Sequence, residues 1–366
     1  MSLLSPRLVE GRCRTGCAAN PRATLTSIKS PCRARGQCSG MLFFALKGSE
    51  TLGRRVAEAA GTGLAPLEER DFDGGEHKAR PMVSVRGRDV FVLHGLQGDA
   101  TGSANDKLLR LLFFVATCRE NGAARVTAIA PYLAYSRKDR QTKPRDPVTT
   151  RYVAQLFEAA GSDVVVTVDV HNIMAFQNAF RCRTLHLATD RLFAADIGGR
   201  FGKGPMVVVS PDSGGVKRAQ LLREALEAET GAAMGFGFME KRRSAGVVTG
   251  SLTAGDVDGQ PVCILDDMIC GGGTLLRAAE AFRGRGAAAV HAYATHALMA
   301  PGGLEKLLGG GLLDSVTVTD SAAPFAGQHP PDARFRVVGC APLIARAMRA
   351  LHDGTSFDAS PIPLLP

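Results

Sequence analysis

The chain has no tryptophan, only four tyrosines among its 366 residues, and no long run of apolar side chains. Because a helix needs about 20 consecutive apolar residues to cross a bilayer, the sequence predicts no membrane-spanning segment. Few aromatic rings are available to stack on nucleic-acid bases, although the formal charge is +9. Seven basic residues and one acid lie in the first forty positions, so only +3 remains for the other 326. This distribution indicates a protein without a nucleic-acid partner.

The first forty residues differ in composition from the rest of the chain. They are rich in Arg, Ser, Pro and Cys and show no sustained periodicity, which is typical of a disordered or processed segment. Three interpretations are open: a transit peptide, a zinc site, or an extension upstream of a start at Met41 that plays no part in the fold. The segment lacks a clean amphipathic Arg stripe, and Cys13, Cys17, Cys32 and Cys38 form no CxxC pair, so we favour the extension.

The other five cysteines are scattered through predicted core elements. They are Cys118, Cys182, Cys263, Cys270 and Cys340. Disulfides persist in oxidising compartments, whereas scattered reduced thiols suit a cytosolic protein, so we expect a cytoplasmic location.

From Met41 the sequence alternates short apolar runs with amphipathic stretches. MLFFAL, DVFVLHG, RVTAIAP and DVVVTVD are separated by helical patterns, and MVVVSP, PVCILDD and SVTVTDS repeat this rhythm in the second half. Strands without polar alternation, interleaved with helices, are typical of parallel sheets covered on both faces. The sequence therefore predicts two related α/β domains joined near residues 185 to 205, with a short terminal helix, LIARAMRALH, closing the fold.

The stretch CILDDMICGGGTLL, residues 263 to 276, places two carboxylates after an apolar run and follows them with three glycines. The pattern predicts a buried strand and then a helix, so the acids and glycines are expected on a strand-to-helix turn, where open α/β sheets bind ligands. Glycines let the backbone approach a ligand, and the free N–H groups that open the helix suit a phosphate. Asp266 and Asp267 would repel that phosphate, so we expect them to face Mg²⁺ or sugar hydroxyls.

Other predicted strand ends are also polar. Asp169 and His171 follow VVVTV, Asp212 and two glycines follow VVVSP, and the segments SRKDRQTKPRDP and EKRR are dense in basic residues. Each has a structural explanation by itself, since a basic run is most often a solvated face and Asp212 could cap a helix. Together they predict a site for more than one phosphate, with a divalent cation between His171 and Asp212 and a diol on Asp266 and Asp267.

Two common phosphate-binding motifs are absent. The sequence contains no GxxxxGK[ST] loop, and a GxGxxG dinucleotide fingerprint would precede its acid, whereas here the acids come first. Acids that precede a Gly-rich phosphate loop are the arrangement of a phosphoribosyl-pyrophosphate loop.

On these residues the chain resembles the ribose-phosphate pyrophosphokinases, also called phosphoribosyl pyrophosphate synthetases. The resemblance runs nearly colinearly from Met41 to about Phe357. Its anchors are, in chain order, FDGGE (72–76), NDKL (105–108), PYLAYSRKDRQTKPRDPVTTRYVAQLFEAAG (131–161), TVDVH (167–171), SPDSGGVKRA (210–219), EKRR (240–243), GDVDGQPVCILDDM (255–268), ATH (294–296) and VTDS (318–321). Each motif alone is weakly specific, but nine in order are highly specific.

The resemblance implies an enzyme that transfers the β,γ-diphosphoryl group of ATP to the C1 hydroxyl of D-ribose 5-phosphate, giving 5-phosphoribosyl 1-pyrophosphate and AMP. It implies an α/β protein with two phosphoribosyltransferase-like domains, each a mainly parallel sheet flanked by helices. We place them at residues 41–189 and 190–366, after an N-terminal extension of residues 1–40. It also implies Mg²⁺ as the cofactor and a homo-oligomer, either a hexamer or a dimer.

The resemblance assigns site residues by position. Lys241 and Arg243 match the catalytic pair that steadies the transferring group. The expected ATP-binding residues are Phe72 and Glu76, which reach in from a neighbouring subunit, Arg137, which stacks on adenine, and Lys138, Asp139 and His171. The expected ribose 5-phosphate residues are Asp266, Asp267, Gly271, Gly272, Gly273 and Thr274, and the expected metal residues are His171 and Asp212. The basic loop from Lys138 to Arg145 is expected to close over ATP and exclude water.

The sequence departs from the family in the sugar-phosphate loop. Most members read DDMxDTxGT, whereas this chain reads DDMICGGGT, so Cys270 and Gly271 replace an acid and a hydroxyl. Loss of one side-chain hydrogen bond predicts weaker binding of ribose 5-phosphate. Gly74 stands where the family has a side chain near adenine and Lys138 where it has Gln, which puts nucleotide preference and ADP inhibition in question.

These departures leave two alternatives to an active synthetase. One is a catalytically weak regulatory relative of the synthetase, and the other is a phosphoribosyltransferase, whose single catalytic domain would leave half of the chain unexplained. Retention of Lys241, Arg243, His171 and both loop aspartates favours the active enzyme.

Overall fold

The computed structural model describes residues 40–244, 247–299, 302–322 and 332–357. The predicted N-terminal extension and its cysteines lie outside these ranges, apart from Gly40. In chain order the strands are β1 (Met41–Ala45), β2 (Leu67–Asp71), β3 (His77–Pro81), β4 (Asp89–Leu93), β5 (Arg125–Ile129), β6 (Val164–Val168), β7 (Arg183–Leu187), β8 (Val207–Ser210), β9 (Gly235–Ser244), β10 (Val247–Ala254), β11 (Pro261–Ile269), β12 (Ala289–Ala297), β13 (Ser315–Thr319) and β14 (Phe335–Val338).

The helices connect most of these strands along the chain. They are α1 (Glu50–Ala59), α2 (Ala104–Glu120), α3 (Thr149–Ala159), α4 (Ile173–Ala179), α5 (Asp190–Phe201), α6 (Val216–Thr230), α7 (Gly273–Arg283), α8 (Gly303–Gly309) and α9 (Ala341–Asp353), with 3₁₀ turns at Ser213–Gly215 and Asp320–Ala322. Among the described residues, no helix combines the length and the apolar character that a membrane span requires.

The first half of the chain forms a five-stranded sheet in the order β1-β4-β5-β6-β7, and every pairing in it is parallel. All five residues of β4 and of β6 are buried because helices cover both faces of the sheet. Strands β2 and β3 form a separate antiparallel hairpin. Helix α2 begins at a capping box, in which the Ser103 and Asp106 side chains accept hydrogen bonds from each other's backbone N–H groups.

The second half forms a seven-stranded sheet in the order β10-β9-β8-β11-β12-β13-β14. All its pairings are parallel except that of β9 with β10, which form an antiparallel hairpin at the edge. The predicted architecture of two α/β halves with mainly parallel sheets is confirmed.

The predicted terminal helix is α9, and it packs against the first sheet. Ile344 and Met348 on α9 are fully buried in a cluster with Val56 of α1 and Phe91 of β4. An amphipathic helix gains stability by burying its apolar face, and here that face is covered by the N-terminal half. The C-terminal segment therefore completes the core of the first half, while the division of the chain at residues 189 and 190 stays a prediction.

Candidate active site

Strand β11 carries the two acids singled out from the sequence. Asp266 and Asp267 lie inside this strand and not on the turn after it, because pairing with β12 continues as far as Ile269 opposite Ala297. The turn itself is shorter than the sequence pattern indicated. It comprises residues 270–272, and α7 begins at Gly273.

One of the three loop glycines is required by the backbone. Gly272 has a φ of +69°, a left-handed conformation that disfavours side chains. A Cβ at this position would also lie 2.6 Å from a methyl group of Leu307 in α8. Gly271 differs, since its φ is not positive and no described atom lies within 4 Å of the point that a Cβ would occupy. The loop therefore passes close to α8 at Gly272 and faces open space at Gly271.

His171 joins the two halves of the molecule at this loop. Its Nδ1 lies 2.6 Å from Oδ2 of Asp267, so the residue that follows β6 by three positions meets the acid of β11. Asp212, the other predicted metal residue, caps the 3₁₀ turn after β8 and accepts hydrogen bonds from the N–H groups of Gly214 and Gly215. The structure thus brings His171 directly to Asp267, and Asp212 takes the capping role that its sequence context also allowed.

The pKa values of the two acids of β11, Asp266 and Asp267, are shifted in opposite directions. Burial, reinforced by the negative charges of Asp267 and Asp212, raises the pKa of Asp266 well above its usual range. Burial also opposes ionisation of Asp267, but the hydrogen bond with His171 and the positive charge of Arg218 outweigh it and lower that pKa. The bond to Asp267 in turn raises the pKa of His171. The pKa values of the two neighbouring acids are therefore shifted apart, upward at Asp266 and downward at Asp267.

The basic loop after β5 is organised around one carboxylate. Asp146 Oδ2 accepts hydrogen bonds from Nζ of Lys138 at 2.7 Å, from Oγ1 of Thr142 at 2.7 Å and from the N–H of Lys143 at 3.1 Å. The bond with Lys138, followed by that with Thr142, lowers the pKa of this acid far below its usual range. Lys138, expected at the nucleotide, is thus bonded within its own loop.

Arg137, immediately before the basic loop, and Asp139 within it contact other site residues. Arg137 Nη1 donates to Sγ of Cys270 at 3.4 Å, and Nδ2 of Asn172, the neighbour of His171, donates to Oδ2 of Asp139 at 2.6 Å. The structure therefore brings Arg137 to the turn between β11 and α7 in the second half.

Phe72 and Glu76 lie apart from this group. Both are exposed in the turn between β2 and β3, and no contact within the described ranges joins them to the other site residues. The hairpin is fixed to its own half of the molecule by the ion pair between Asp71 and Lys47, at 2.8 Å. Lys241 and Arg243 belong to β9 by their backbone, but their side chains lie outside what the structure describes.

Comparison with known proteins gives matches over both halves of the chain. Residues 41–161 match the model of the N-terminal domain of ribose phosphate pyrophosphokinase, and residues 185–306 match the phosphoribosyl transferase domain. The ribose-phosphate pyrophosphokinase of Hyphomonas neptunium is 34% identical over 320 residues, which cover 87% of this chain and 98% of that protein. That of Caldanaerobacter subterraneus subsp. tengcongensis is 34% identical over 321 residues, or 87% and 97% of the two chains. The crystal structure of phosphoribosylpyrophosphate synthetase from Mycobacterium smegmatis matches with a TM-score of 0.76 at 31% identity, covering 86% of this chain and 99% of that one.

The chain belongs to the ribose-phosphate pyrophosphokinase family. The predicted family, the predicted fold of two phosphoribosyltransferase-like domains and the prediction that the chain is an enzyme are confirmed. Family membership makes it a nucleotide-dependent phosphoryl transferase.

This ribose-phosphate pyrophosphokinase family member also has site contacts that the sequence did not assign. Asp169 is buried and accepts hydrogen bonds from Nε of Arg218 at 3.1 Å and from Oγ1 of Thr295 at 2.5 Å. Arg218 also donates through Nη2 to the carbonyl oxygens of Val170 and His171. Arg218 therefore fixes the turn that presents His171. It lies in the motif SPDSGGVKRA, which was the available signal for it.

Proposed function

We propose that this chain is a ribose-phosphate diphosphokinase. It transfers the β,γ-diphosphoryl group of ATP to the C1 hydroxyl of D-ribose 5-phosphate and releases 5-phosphoribosyl 1-pyrophosphate and AMP. The observation that carries the proposal is the bond of 2.6 Å between His171 and Asp267, because it draws the nucleotide side of the first half and the sugar side of the second to one point. The match with this chain covers 98% and 97% of two relatives named ribose-phosphate pyrophosphokinase.

The sugar side is built on β11 and the start of α7. Asp266 and Asp267 are proposed to hold the ribose hydroxyls, since carboxylate oxygens accept hydrogen bonds from a diol. The 5-phosphate is proposed to lie on the backbone N–H groups of residues 271–274, at the start of a helix whose dipole favours an anion. Gly271, Gly272 and Gly273 leave these N–H groups uncovered by side chains, and Thr274 adds a hydroxyl donor.

The nucleotide side is proposed to use the basic loop. Arg137 would stack on adenine through its planar guanidinium. Lys138 would leave its bond with Asp146 and bind the ATP phosphates, and Asp139 would lie beside it in the closed loop. Phe72 and Glu76 are exposed on a hairpin, and no contact in the described part of the chain joins them to the other site residues, so we assign them to the adenine pocket of a neighbouring copy. The proposed assembly is accordingly a homo-oligomer, a hexamer or a dimer.

The residues present fit a Mg²⁺ ion that is shared with the substrate. Among the described residues no three His, Cys, Asp or Glu side chains converge on one point, but Mg²⁺ is usually bound by one or two protein groups together with substrate phosphates. His171, with one nitrogen held by Asp267, has the carboxylate–histidine arrangement common beside metals. We propose that His171 and Asp212 hold the ion, which would neutralise negative charge on the ATP phosphates.

The chemical step asks the protein mainly for positioning and for positive charge around the transferring group. Lys241 and Arg243 are proposed to supply that charge, and loss of a group acting mainly in the transition state costs on the order of a hundredfold or more in rate. Closure of the basic loop would exclude water and so suppress hydrolysis of ATP. The proposed location is the cytoplasm, and no nucleic-acid partner is proposed.

Phosphorus NMR of the full chain with Mg²⁺, ATP and ribose 5-phosphate tests the function. We expect AMP and phosphoribosyl pyrophosphate to accumulate together, and a Lys241→Ala variant to form neither. Binding of ATP without either product would favour the alternative of a catalytically weak regulatory relative, for which Cys270 and Gly271 are the motivating substitutions. Consumption of added phosphoribosyl pyrophosphate by a nucleobase would favour a phosphoribosyltransferase.

A further inference from the structure

Two motifs singled out from the sequence, ATH (294–296) and VTDS (318–321), contribute no side chain to the proposed substrate groups. They lie at the carboxyl ends of the neighbouring strands β12 and β13. Four of their polar side chains are almost completely buried, those of Thr295, His296, Thr319 and Ser321. Burial of a polar group costs free energy unless the group is hydrogen-bonded, so the partners of these side chains indicate what the motifs do.

The ATH motif bonds across to the first half of the molecule. Oγ1 of Thr295 donates to Oδ2 of Asp169 at 2.5 Å. Nε2 of His296 lies 3.0 Å from the carbonyl oxygen of Val168, and because a carbonyl oxygen can only accept, Nε2 carries the proton of this bond. Burial lowers the pKa of His296, so the ring is neutral near neutral pH and its Nδ1 is an acceptor. Two adjacent residues of β12 therefore hold Val168 and Asp169, where β6 ends.

The VTDS motif holds the ATH motif in turn. Oγ of Ser321 lies 2.8 Å from Nδ1 of His296 and donates to it, which sets the tautomer that bonds to Val168. Oγ1 of Thr319 donates to the carbonyl oxygen of Thr295 at 2.7 Å. The two motifs thus form one hydrogen-bonded unit, and its bonds to the first half go to the end of β6.

The segment that this unit holds is strained. Asp169 has a φ of +40°, in the left-handed region that residues with a Cβ disfavour. Such a conformation persists where the surrounding contacts determine it, and here the buried carboxylate is held by Thr295 and by Nε of Arg218 at 3.1 Å. His171 follows two residues later, and its ring meets Asp267. The bonds to the end of β6 therefore bear on where His171 lies.

The register of the second sheet places two contacts with this turn side by side. Strands β11 and β12 pair in parallel, and Asp267 lies in the register position opposite Thr295. Side chains at one register position of adjacent strands point to the same face of the sheet. Asp267 contacts His171 there, while Thr295 contacts Asp169. Two neighbouring strands of the second half thus hold one turn of the first half at two points.

We propose that Thr295 and His296 are positioning residues of the active site, which hold the turn after β6 so that His171 meets Asp267 and faces the ATP phosphates. This inference rests on the proposed function, in which His171 binds the metal and ATP. A misplacement of about 1 Å at a catalytic group can cost about a hundredfold in rate, so turnover depends on these buried bonds although neither side chain touches a substrate.

Thr295→Val tests the first bond, because valine has nearly the same shape and lacks the hydroxyl. Its controls are Thr295→Ser, which keeps the hydroxyl, and Thr317→Val, which removes a hydroxyl equally buried in β13 and bonded to Arg200. Initial rates of AMP release should give Thr295→Val a kcat about tenfold to a hundredfold lower, with the KM for ribose 5-phosphate within about threefold of the wild type. Both controls should keep at least about half of the wild-type kcat. Urea titrations establish that every variant is folded.

Ser321→Ala tests His296 without replacing the ring. The change removes the donor to Nδ1, so the proton can move to Nδ1 and the bond from Nε2 to Val168 is lost. The kcat should fall about threefold to tenfold, again with little change in the KM for ribose 5-phosphate.

NMR of the full chain with isotope-labelled histidine, without substrates, reports the position of His171 independently of turnover. The ring N–H signal of His171 is assigned by its absence in His171→Gln. We expect the bond with Asp267 to shift this signal downfield in the wild type and in Thr317→Val. In Thr295→Val the signal should move upfield or broaden by exchange with solvent.

The inference is overturned if Thr295→Val keeps the wild-type kcat, if Thr295→Ser or Thr317→Val loses as much, if Ser321→Ala turns over like the wild type, or if the His171 signal is the same in Thr295→Val as in the wild type. Failure of the proposed function has a different signature. In that case the wild type forms no phosphoribosyl pyrophosphate, while the NMR comparison still shows whether Thr295 holds His171.

Discussion

Replacement of Gly271 by threonine is expected to strengthen binding of ribose 5-phosphate. The position has no positive φ, and no described atom lies within 4 Å of the point that a Cβ would occupy, so a side chain fits without displacing a neighbour. The new hydroxyl would lie beside the N–H groups that open α7, where the 5-phosphate is proposed to bind. It restores the donor that the family has at this position.

The size of the effect follows from two opposing contributions. A hydrogen bond to a charged phosphate contributes about 1.5–3 kcal/mol, and fixing a short side chain costs up to about 1 kcal/mol of rotamer entropy. The net gain of about 0.5–2 kcal/mol corresponds to a KM for ribose 5-phosphate lowered about twofold to thirtyfold. Initial rates of AMP release, measured over a series of ribose 5-phosphate concentrations at saturating ATP, give this KM.

A neighbouring glycine supplies the matched control. Gly272→Ala would place a Cβ 2.6 Å from Leu307 and would force alanine to a φ of +69°, so this variant should bind ribose 5-phosphate more weakly. Our reasoning about the loop is refuted if Gly271→Thr raises the KM for ribose 5-phosphate, or if both substitutions change it in the same direction.

Three further predictions concern the supports of the site and the fold. Arg218→Lys keeps the positive charge but loses the fork that spans Asp169 and the adjacent carbonyl groups, so turnover should fall at least tenfold in steady-state assays while urea unfolding changes little. Met348→Ala removes a fully buried side chain where α9 meets the first sheet, and the free energy of unfolding should fall by about 2–5 kcal/mol in urea titrations. Burial, with help from nearby cations, lowers the pKa of His94 to about 3. As the pH falls below about 6.5 the unfolded chain binds a proton here that the folded chain does not, so stability should fall by up to about 1.4 kcal/mol per pH unit, and less steeply in His94→Gln.

Each of these predictions has an outcome that contradicts it. Wild-type turnover in Arg218→Lys would mean that a positive charge alone is enough to hold the turn that presents His171. A Met348→Ala protein that unfolds at the wild-type urea concentration would mean that α9 contributes little to the first core. Equal slopes of stability against pH between pH 7 and 5 in the wild type and His94→Gln would mean that this imidazole is not kept neutral by the fold.

The fold class was predictable from the sequence because each element carries its own local signal. VVVTV and VVVS are apolar without alternation, as strands covered on both faces must be, and the amphipathic stretches between them give the helices. The motif order gave the family in the same way. Local patterns did not show that β11 continues through Asp266 and Asp267, since the length of a strand depends on its partner, here β12.

The sequence by itself determined which residue types lie in or just after the last residues of the strands, and therefore that acids, glycines and basic residues share one edge. Only the tertiary structure decided which of these residues contact one another. His171 bonds with Asp267, 96 positions away, Arg137 meets Cys270, and α9 returns to the first sheet. Secondary structure follows from interactions within a few residues, whereas these contacts depend on how two separately formed sheets pack, and no local pattern encodes that packing.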